Sequence, residues 1–171
     1  MLPDYPDRKA ETKLLGAESS LAAGSVKKYY LGIDPGHDKA GLALVDAAGV
    51  ILAVRVVKTS GLTGRVRQFL RETLQTPNAW ALRNALAGIV MGNGTYSSQQ
   101  REEIQKAFAG IPLHLVDESY TTEEARVLYW QLHPPKGWRR LIPQGLRVPP
   151  ESLDGLAAAI QARRYLEQKQ E

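Results

Sequence analysis

The chain of 171 residues contains no cysteine. Disulfides and zinc–thiolate centres are therefore excluded, and any bound metal would rest on oxygen or imidazole ligands. Imidazole is scarce as well: His37, His114 and His133 are the only histidines and lie far apart, which leaves carboxylates as the ligands to look for. No apolar run approaches the ~20 residues of a membrane-spanning helix. The polar opening MLPDYPDRKAETK lacks the apolar core of a signal peptide, so a cytoplasmic location is the expectation. Hydrophobic residues make up 43% and charged residues 23%, the balance of an ordinary globular protein, and the length suits one domain with a real core.

The net charge of +4 is mild, and its distribution says more than its size. Between residues 55 and 83, Arg55, Lys58, Arg65, Arg67, Arg71 and Arg83 face the single acid Glu72, and between 131 and 150 Lys136, Arg139, Arg140 and Arg147 have no acid among them. Each segment is either solubilising surface charge or a site for a polyanion.

Residues 1–28 mix Pro3, Pro6, four acids and five bases with little periodicity, and they read as an appended, partly disordered tail. The folded domain is expected over 29–171. It opens on the stretch around which the chain is organised, 29–46, YYLGIDPGHDKAGLALVD. An apolar strand ends at Asp34, Pro35 and Gly36 punctuate a turn, and a second apolar run follows, the pattern of a hairpin. The β-branched run GVILAVRVV at 49–57 adds a third antiparallel strand. The period then changes. Leu62, Val66, Phe69, Leu70 and Leu74 predict a helix over 61–75. LAGIVM at 86–91 reads as a buried strand stopped by Gly92-Asn93-Gly94. Ser97 with Gln100 suggests a capping box for a helix reaching Phe108, a strand is expected over 111–116, and Thr121 with Glu124 suggests a second capping box. The segment 133–150 holds five of the ten prolines and reads as a long loop without helix or strand. A last helix is expected from about Pro150 to Gln168, with Pro150 in its first turn and Leu153, Leu156, Ala157 and Ile160 on its buried face.

Three acids occupy comparable places: Asp34 at the exit of the first strand, Glu118 or Asp117 at the exit of a later one, and Asp154 beside the buried stripe of the last helix. Singly, Asp34 has an ordinary reading as a turn former or cap and Glu118 as a charge favoured by a helix dipole, whereas an aspartate bordering a buried stripe, as at Asp154, is uncommon without a partner. If they converge, their mutual repulsion calls for a cation. Mg²⁺ and Mn²⁺ take oxygen ligands of this kind, and paired ions activate water for phosphodiester displacement. Asp117 and Glu118 compete for one role, since neighbours on an extended segment face opposite ways. Around them, Lys39 and the basic loop with Arg139 and Arg140 are candidates for positioning a nucleic-acid backbone. His37 lies three residues past Asp34 and is a candidate substrate contact. Gly92-Asn93-Gly94-Thr95 is either a tight turn or a loop whose Asn93 and Thr95 approach a phosphate. His114, between Leu113 and Leu115, reads as an outward or satisfied histidine. Trp138, among Lys136, Arg139 and Arg140, either stacks a base or anchors the loop.

The order of these motifs resembles a known group. Gly32-x-Asp34-x-Gly36 with Gly41, Asp117-Glu118 followed by Thr121-Thr122-x-Glu124-Ala125, and Asp154-Gly155-Leu156-Ala157-Ala158 are similar to the motifs of the YqgF/RuvX-type members of the RuvC-like nucleases, over roughly residues 29–165. The resemblance implies an α/β, ribonuclease-H-like fold: a mixed five-stranded sheet, three antiparallel strands followed by two parallel ones, with helices on both faces. It also implies an endonuclease that uses Mg²⁺ or Mn²⁺ held by Asp34, Glu118 and Asp154, acting on Holliday-junction-like DNA or precursor rRNA. A homodimer would match a two-fold junction. The chain departs from the usual pattern at His37-Asp38-Lys39, where a hydroxyl and Lys-Arg are common, at Gly92-Asn93-Gly94 in place of Gly-Leu-Pro, and at Ser119 in place of arginine, so substrate contacts are the least transferable part. Two rivals stand beside this reading: a nucleic-acid-binding or scaffolding domain without turnover, and a nucleotide-binding relative of actin-like ATPases, suggested by Gly32–Gly36 alone.

Overall fold

The computed structural model describes residues 28–75, 78–94, 97–119 and 121–169; apart from Lys28, the expected tail lies outside the described residues. Three antiparallel strands open the fold: β1 (Tyr29–Pro35), β2 (Lys39–Asp46) and β3 (Ile51–Lys58). Two more, β4 (Leu86–Gly92) and β5 (Leu113–Val116), run parallel to β1, and the sheet order is β3-β2-β1-β4-β5. This is the mixed five-stranded sheet that the resemblance implies. Helices α1 (Leu62–Leu74), α2 (Ala79–Ala85), α3 (Ser97–Ala107), α4 (Thr121–Leu132) and α5 (Asp154–Gln168) cover it.

Period-2 alternation along β1 divides the molecule into two layers. Leu31 and Ile33 face α1, α2 and α3, where they pack with Leu42, Leu44, Phe69, Leu70, Ile89, Met91 and Ile104. Tyr30 faces the opposite layer with Ala43, Val45, Val90, Val116 and the alanines of α5, Ala158, Ala159 and Ala162. Gly32 lies under that same helix, and by the same alternation Asp34 faces it too. The remaining side of α5 packs on α4 through Leu156, Ala157 and Ile160 against Ala125, Tyr129 and Trp130. Helix α5 is thus sandwiched, which explains the unbroken buried run from Gly155 to Ala162; a helix that is apolar nearly all round belongs inside.

Glycines set how closely α5 lies on the sheet. A Cβ at Gly32 would overlap the Ala158 carbonyl, and one at Gly41 would overlap the Asp154 carbonyl. Only hydrogen at these two positions lets the helix backbone rest directly on β1 and β2, and that contact carries Asp154 and Gln161 down to the strand that bears Asp34.

Several expectations are revised. Helix α5 begins at Asp154, four residues after Pro150: its first intrahelical bond is Ala157 N–H to Leu153 C=O, at 2.8 Å, and Pro149-Pro150 disfavours helical geometry just before it. Helix α2 was not anticipated; Asn78 caps it, its Oδ1 accepting from Ala81 N–H at 2.9 Å. The Thr121–Glu124 capping box does not close as expected, and the Ser97 side chain of the other lies outside the described residues. Thr121 is the first helical residue and its hydroxyl donates to Glu118 C=O at 2.6 Å, while Gln100 Nε2 reaches across to Gly36 C=O at 3.3 Å. The loop 133–150 contains two short 3-10 turns, Gly137–Leu141 and Gln144–Leu146.

Candidate active site

Asp34 is paired in register with Gly41 on β2. Gly41 offers no side chain and Gly32 is already covered by α5, so the Asp34 carboxylate lies largely buried between β1 and the helix. Gln161 meets it there: its Nε2 donates to Asp34 Oδ1 at 2.7 Å. The Asp34 carboxyl is pushed up from 3.8 to about 6, first by burial and further by the negative charges of Glu118 and Asp154, with the Gln161 bond pulling the other way. The acids repel as the sequence predicts, although loss of water is the larger cause.

Glu118 arrives by strand parity. Val116 faces α5, so the residue two positions on faces the same way. Its carboxylate lies against the glycines that end β4: a Cβ at Gly92 or Gly94 would overlap it. The glycine loop is therefore a seat for Glu118. Glu118 Oε1 is buried with no hydrogen-bond partner. Asp117 turns away, its exposed carboxylate accepting from Ser119 N–H at 3.0 Å and Ser119 Oγ–H at 2.8 Å, which lowers its pKa. The choice left open by the sequence falls on Glu118 as the inward acid. Asp154 opens α5, half-buried, and its Oδ2 accepts from Ser152 Oγ at 2.7 Å.

Arg164 holds the β5 exit in place. One guanidinium nitrogen donates to Asp117 C=O at 3.1 Å and to Ser119 C=O at 2.7 Å, and another to Glu124 Oε1 at 2.6 Å. The strand exit that carries Glu118 is tied in this way to the helix that carries Asp154 and Gln161. Sequence reasoning missed both Gln161 and Arg164. The available signal was a glutamine two helical turns after Asp154, on the same side of α5.

The other candidates are more dispersed. His37 Nδ1 sits 2.8 Å from Asp38 Oδ1 on the exposed hairpin turn, and Lys39 opens β2 on the surface. Asn93 is exposed and its N–H donates to Val116 C=O at 3.1 Å, continuing the β4–β5 pairing. Thr95 and the Arg139 side chain lie outside the described residues. Arg140 is exposed. His114 is satisfied, stacked on Tyr165 at 4.3 Å between centroids with its Nε2 3.0 Å from the tyrosine hydroxyl. In the first basic segment Arg55 pairs with Glu72 at 2.6 Å and lies over Phe69, and Arg67 donates to Ala107 C=O at 3.1 Å, while Lys58, Arg65, Arg71 and Arg83 are exposed.

Among the described residues no group of three or more histidines, aspartates and glutamates is gathered tightly enough to hold one metal ion. The donor chemistry still fits a hard cation. Asp34 feels both other acids through space, and Glu118 presents a buried oxygen with nothing donating to it, an arrangement whose electrostatic cost a divalent ion would relieve.

No protein-family model matches the chain, and no curated protein sequence matches it. Among solved structures it is similar to T. thermophilus RuvC in complex with Holliday junction substrate, at 18% identity over 84% of this chain and 96% of that one, with a TM-score of 0.45. It is also similar to a ROK family transcriptional regulator, a homolog of the E. coli MLC protein, at 16% identity over 59% and 30% of the two chains and a TM-score of 0.41. The fold assignment rests on the strand order and directions described above.

Proposed function

We propose that the chain is a Mg²⁺- or Mn²⁺-dependent endonuclease acting on structured nucleic acid, Holliday-junction-like DNA or precursor rRNA, by two-metal phosphodiester hydrolysis. The observation that carries the proposal is Asp34, a buried carboxylate raised to about 6 with Glu118 and Asp154 as its charged neighbours. Structural ion pairs perturb carboxylates too, but here the charges acting on Asp34 are of like sign. The motif resemblance points to the same three residues.

Asp34, Glu118 and Asp154 would hold the ions, which when bound supply an activated water and charge stabilisation at the leaving oxygen. Gln161 fixes one oxygen of Asp34 and leaves the other for coordination. Gly92 and Gly94 keep the space that the Glu118 carboxylate fills, and Arg164 holds the strand exit from which it projects. Lys39, His37, Asn93, Thr95, Arg139 and Arg140 are the proposed substrate contacts; in the second basic segment Lys136 and Arg140 are exposed and no acid competes for them in the sequence, which suits a nucleic-acid backbone.

The test is incubation of the protein with a four-way junction, single-stranded DNA and precursor rRNA, in Mn²⁺ or EDTA, beside the Asp34→Asn variant. Metal-dependent cleavage lost in Asp34→Asn is the expected result. Cleavage that survives the substitution sinks the mechanism, and binding without cleavage by either form favours the scaffolding reading.

A further inference from the structure

Gln161 is the polar residue in an otherwise apolar run. Every residue of α5 from Gly155 to Ala162 is buried, and Gln161 has no exposed surface. Glutamine is seldom buried so completely, and an amide carried into a core costs stability unless both of its ends find partners. Its position follows from the close contact of α5 with β1. A Cβ at Gly32 would meet both Ala158 and Ala162, and Gln161, three residues past the first and next to the second, reaches Asp34 from the same side of the helix.

Only one end of the amide is used. Nε2 donates to Asp34 Oδ1 at 2.7 Å, while Oε1 is buried with no hydrogen-bond partner. An orphaned acceptor of this kind costs about 1–3 kcal/mol. Methionine would fill the same space without that cost, so space filling does not account for a glutamine here. Glu118 Oε1, whose carboxylate acts on Asp34 through its charge, is orphaned in the same way. A proton can satisfy a carboxylate, but an amide oxygen needs a donor from another group. Arg164 is turned elsewhere, its guanidinium bonding Asp117 C=O, Ser119 C=O and Glu124.

A hydrated divalent cation brings such donors with it. Mg²⁺ loses water reluctantly and keeps several water molecules when carboxylates hold it, and their protons point outward to the acceptors around the ion. We infer that Gln161 Oε1 is an acceptor for water carried by the cation of Asp34, Glu118 and Asp154. The inference rests on the nuclease reading and adds a fourth, uncharged oxygen to that site. The two ends of the amide then have separate tasks: Nε2 fixes one oxygen of Asp34, and Oε1 holds the ion's water.

Two measurements on the full-length chain at pH 7.5 test this, and neither depends on turnover. The first compares Mn²⁺ affinity by calorimetry in the wild type and in Gln161→Met. Methionine keeps the unbranched length of glutamine without its donor or its oxygen, and the variant should bind Mn²⁺ about 10–100-fold more weakly. The second separates the oxygen from the donor. In carbon-13-labelled wild type, Mg²⁺ should move the Gln161 Cδ resonance downfield as Oε1 gains a hydrogen bond, and the same titration of Asp34→Asn should not. A glutamine that acts through Nε2 alone leaves that resonance in place. Unchanged Mn²⁺ affinity in Gln161→Met overturns the inference. So does a Cδ resonance that fails to move downfield while Mg²⁺ saturates the wild type, a result that holds whether or not the variant folds. The nuclease reading fails by a different result, absence of metal-dependent cleavage in a wild type whose Mn²⁺ binding and Cδ shift are intact.

Discussion

Between about pH 4 and pH 6, Asp34 holds a proton in the folded chain that the unfolded chain has already released. With its pKa raised from 3.8 to about 6, its contribution to stability is intact below pH 4 and is lost as pH climbs through about 6, a loss of up to about 3 kcal/mol without metal. Asp34→Asn removes the titration while keeping an acceptor for Gln161. Denaturant unfolding in EDTA should therefore show the variant equal to wild type near pH 4 and more stable above pH 7. Gln161→Leu acts in the opposite direction. It removes the donor that favours the ionised carboxylate, so the fall in stability should move to higher pH and the apo protein should lose a further ~1–3 kcal/mol at pH 8. Equal pH profiles for Gln161→Leu and wild type would show that the hydrogen bond carries no weight. Asp34 is legible in the sequence because it interrupts an apolar strand. Gln161 is not, because its partner lies far away in the chain and nothing local marks which polar residue of α5 turns inward.

Helix α5 depends on backbone contact with β1 and β2. Gly41→Ala would drive a methyl group into the Asp154 carbonyl, lifting the start of the helix at the cost of ~1–3 kcal/mol, and the Asp154 carboxylate would move with it. Guanidinium unfolding measures the first effect and a weaker Mn²⁺ response the second; unchanged values for both would contradict the close-packing account. At this scale the strands, α1 and α4 follow from patterns of apolar residues, since one buried face each is enough to write a pattern, while α3 is announced by Ser97 and Gln100. Helix α2 has seven residues, too few to show a period, and is visible only through the Asn78 cap. The start of α5 was set too early because Pro150 suits a first turn in isolation, whereas the folded chain starts the helix where Asp154 meets β2.

The molecule as a whole brings residues 34, 118 and 154 to one layer through the crossover that puts β4 and β5 beside β1. Their convergence is implied by motif order and resemblance, and the sheet supplies the physical reason: Asp34 and Glu118 face α5, the helix that Asp154 opens. Charge distribution was the weaker guide. Arg55 and Arg67 make contacts within the far layer, a use that composition cannot distinguish from polyanion binding, while Lys136 and Arg140 of the second basic segment are exposed. The central claim, that Asp34, Glu118 and Asp154 form one cation site, is tested most directly by Mn²⁺ titration calorimetry at pH 7.5 on the wild type and on Asp34→Asn, Glu118→Gln and Asp154→Asn. A binding event in the wild type that each of the three substitutions weakens or abolishes is the expected result. Absence of Mn²⁺ binding in the wild type, or binding that Asp34→Asn and Glu118→Gln leave untouched, would contradict it.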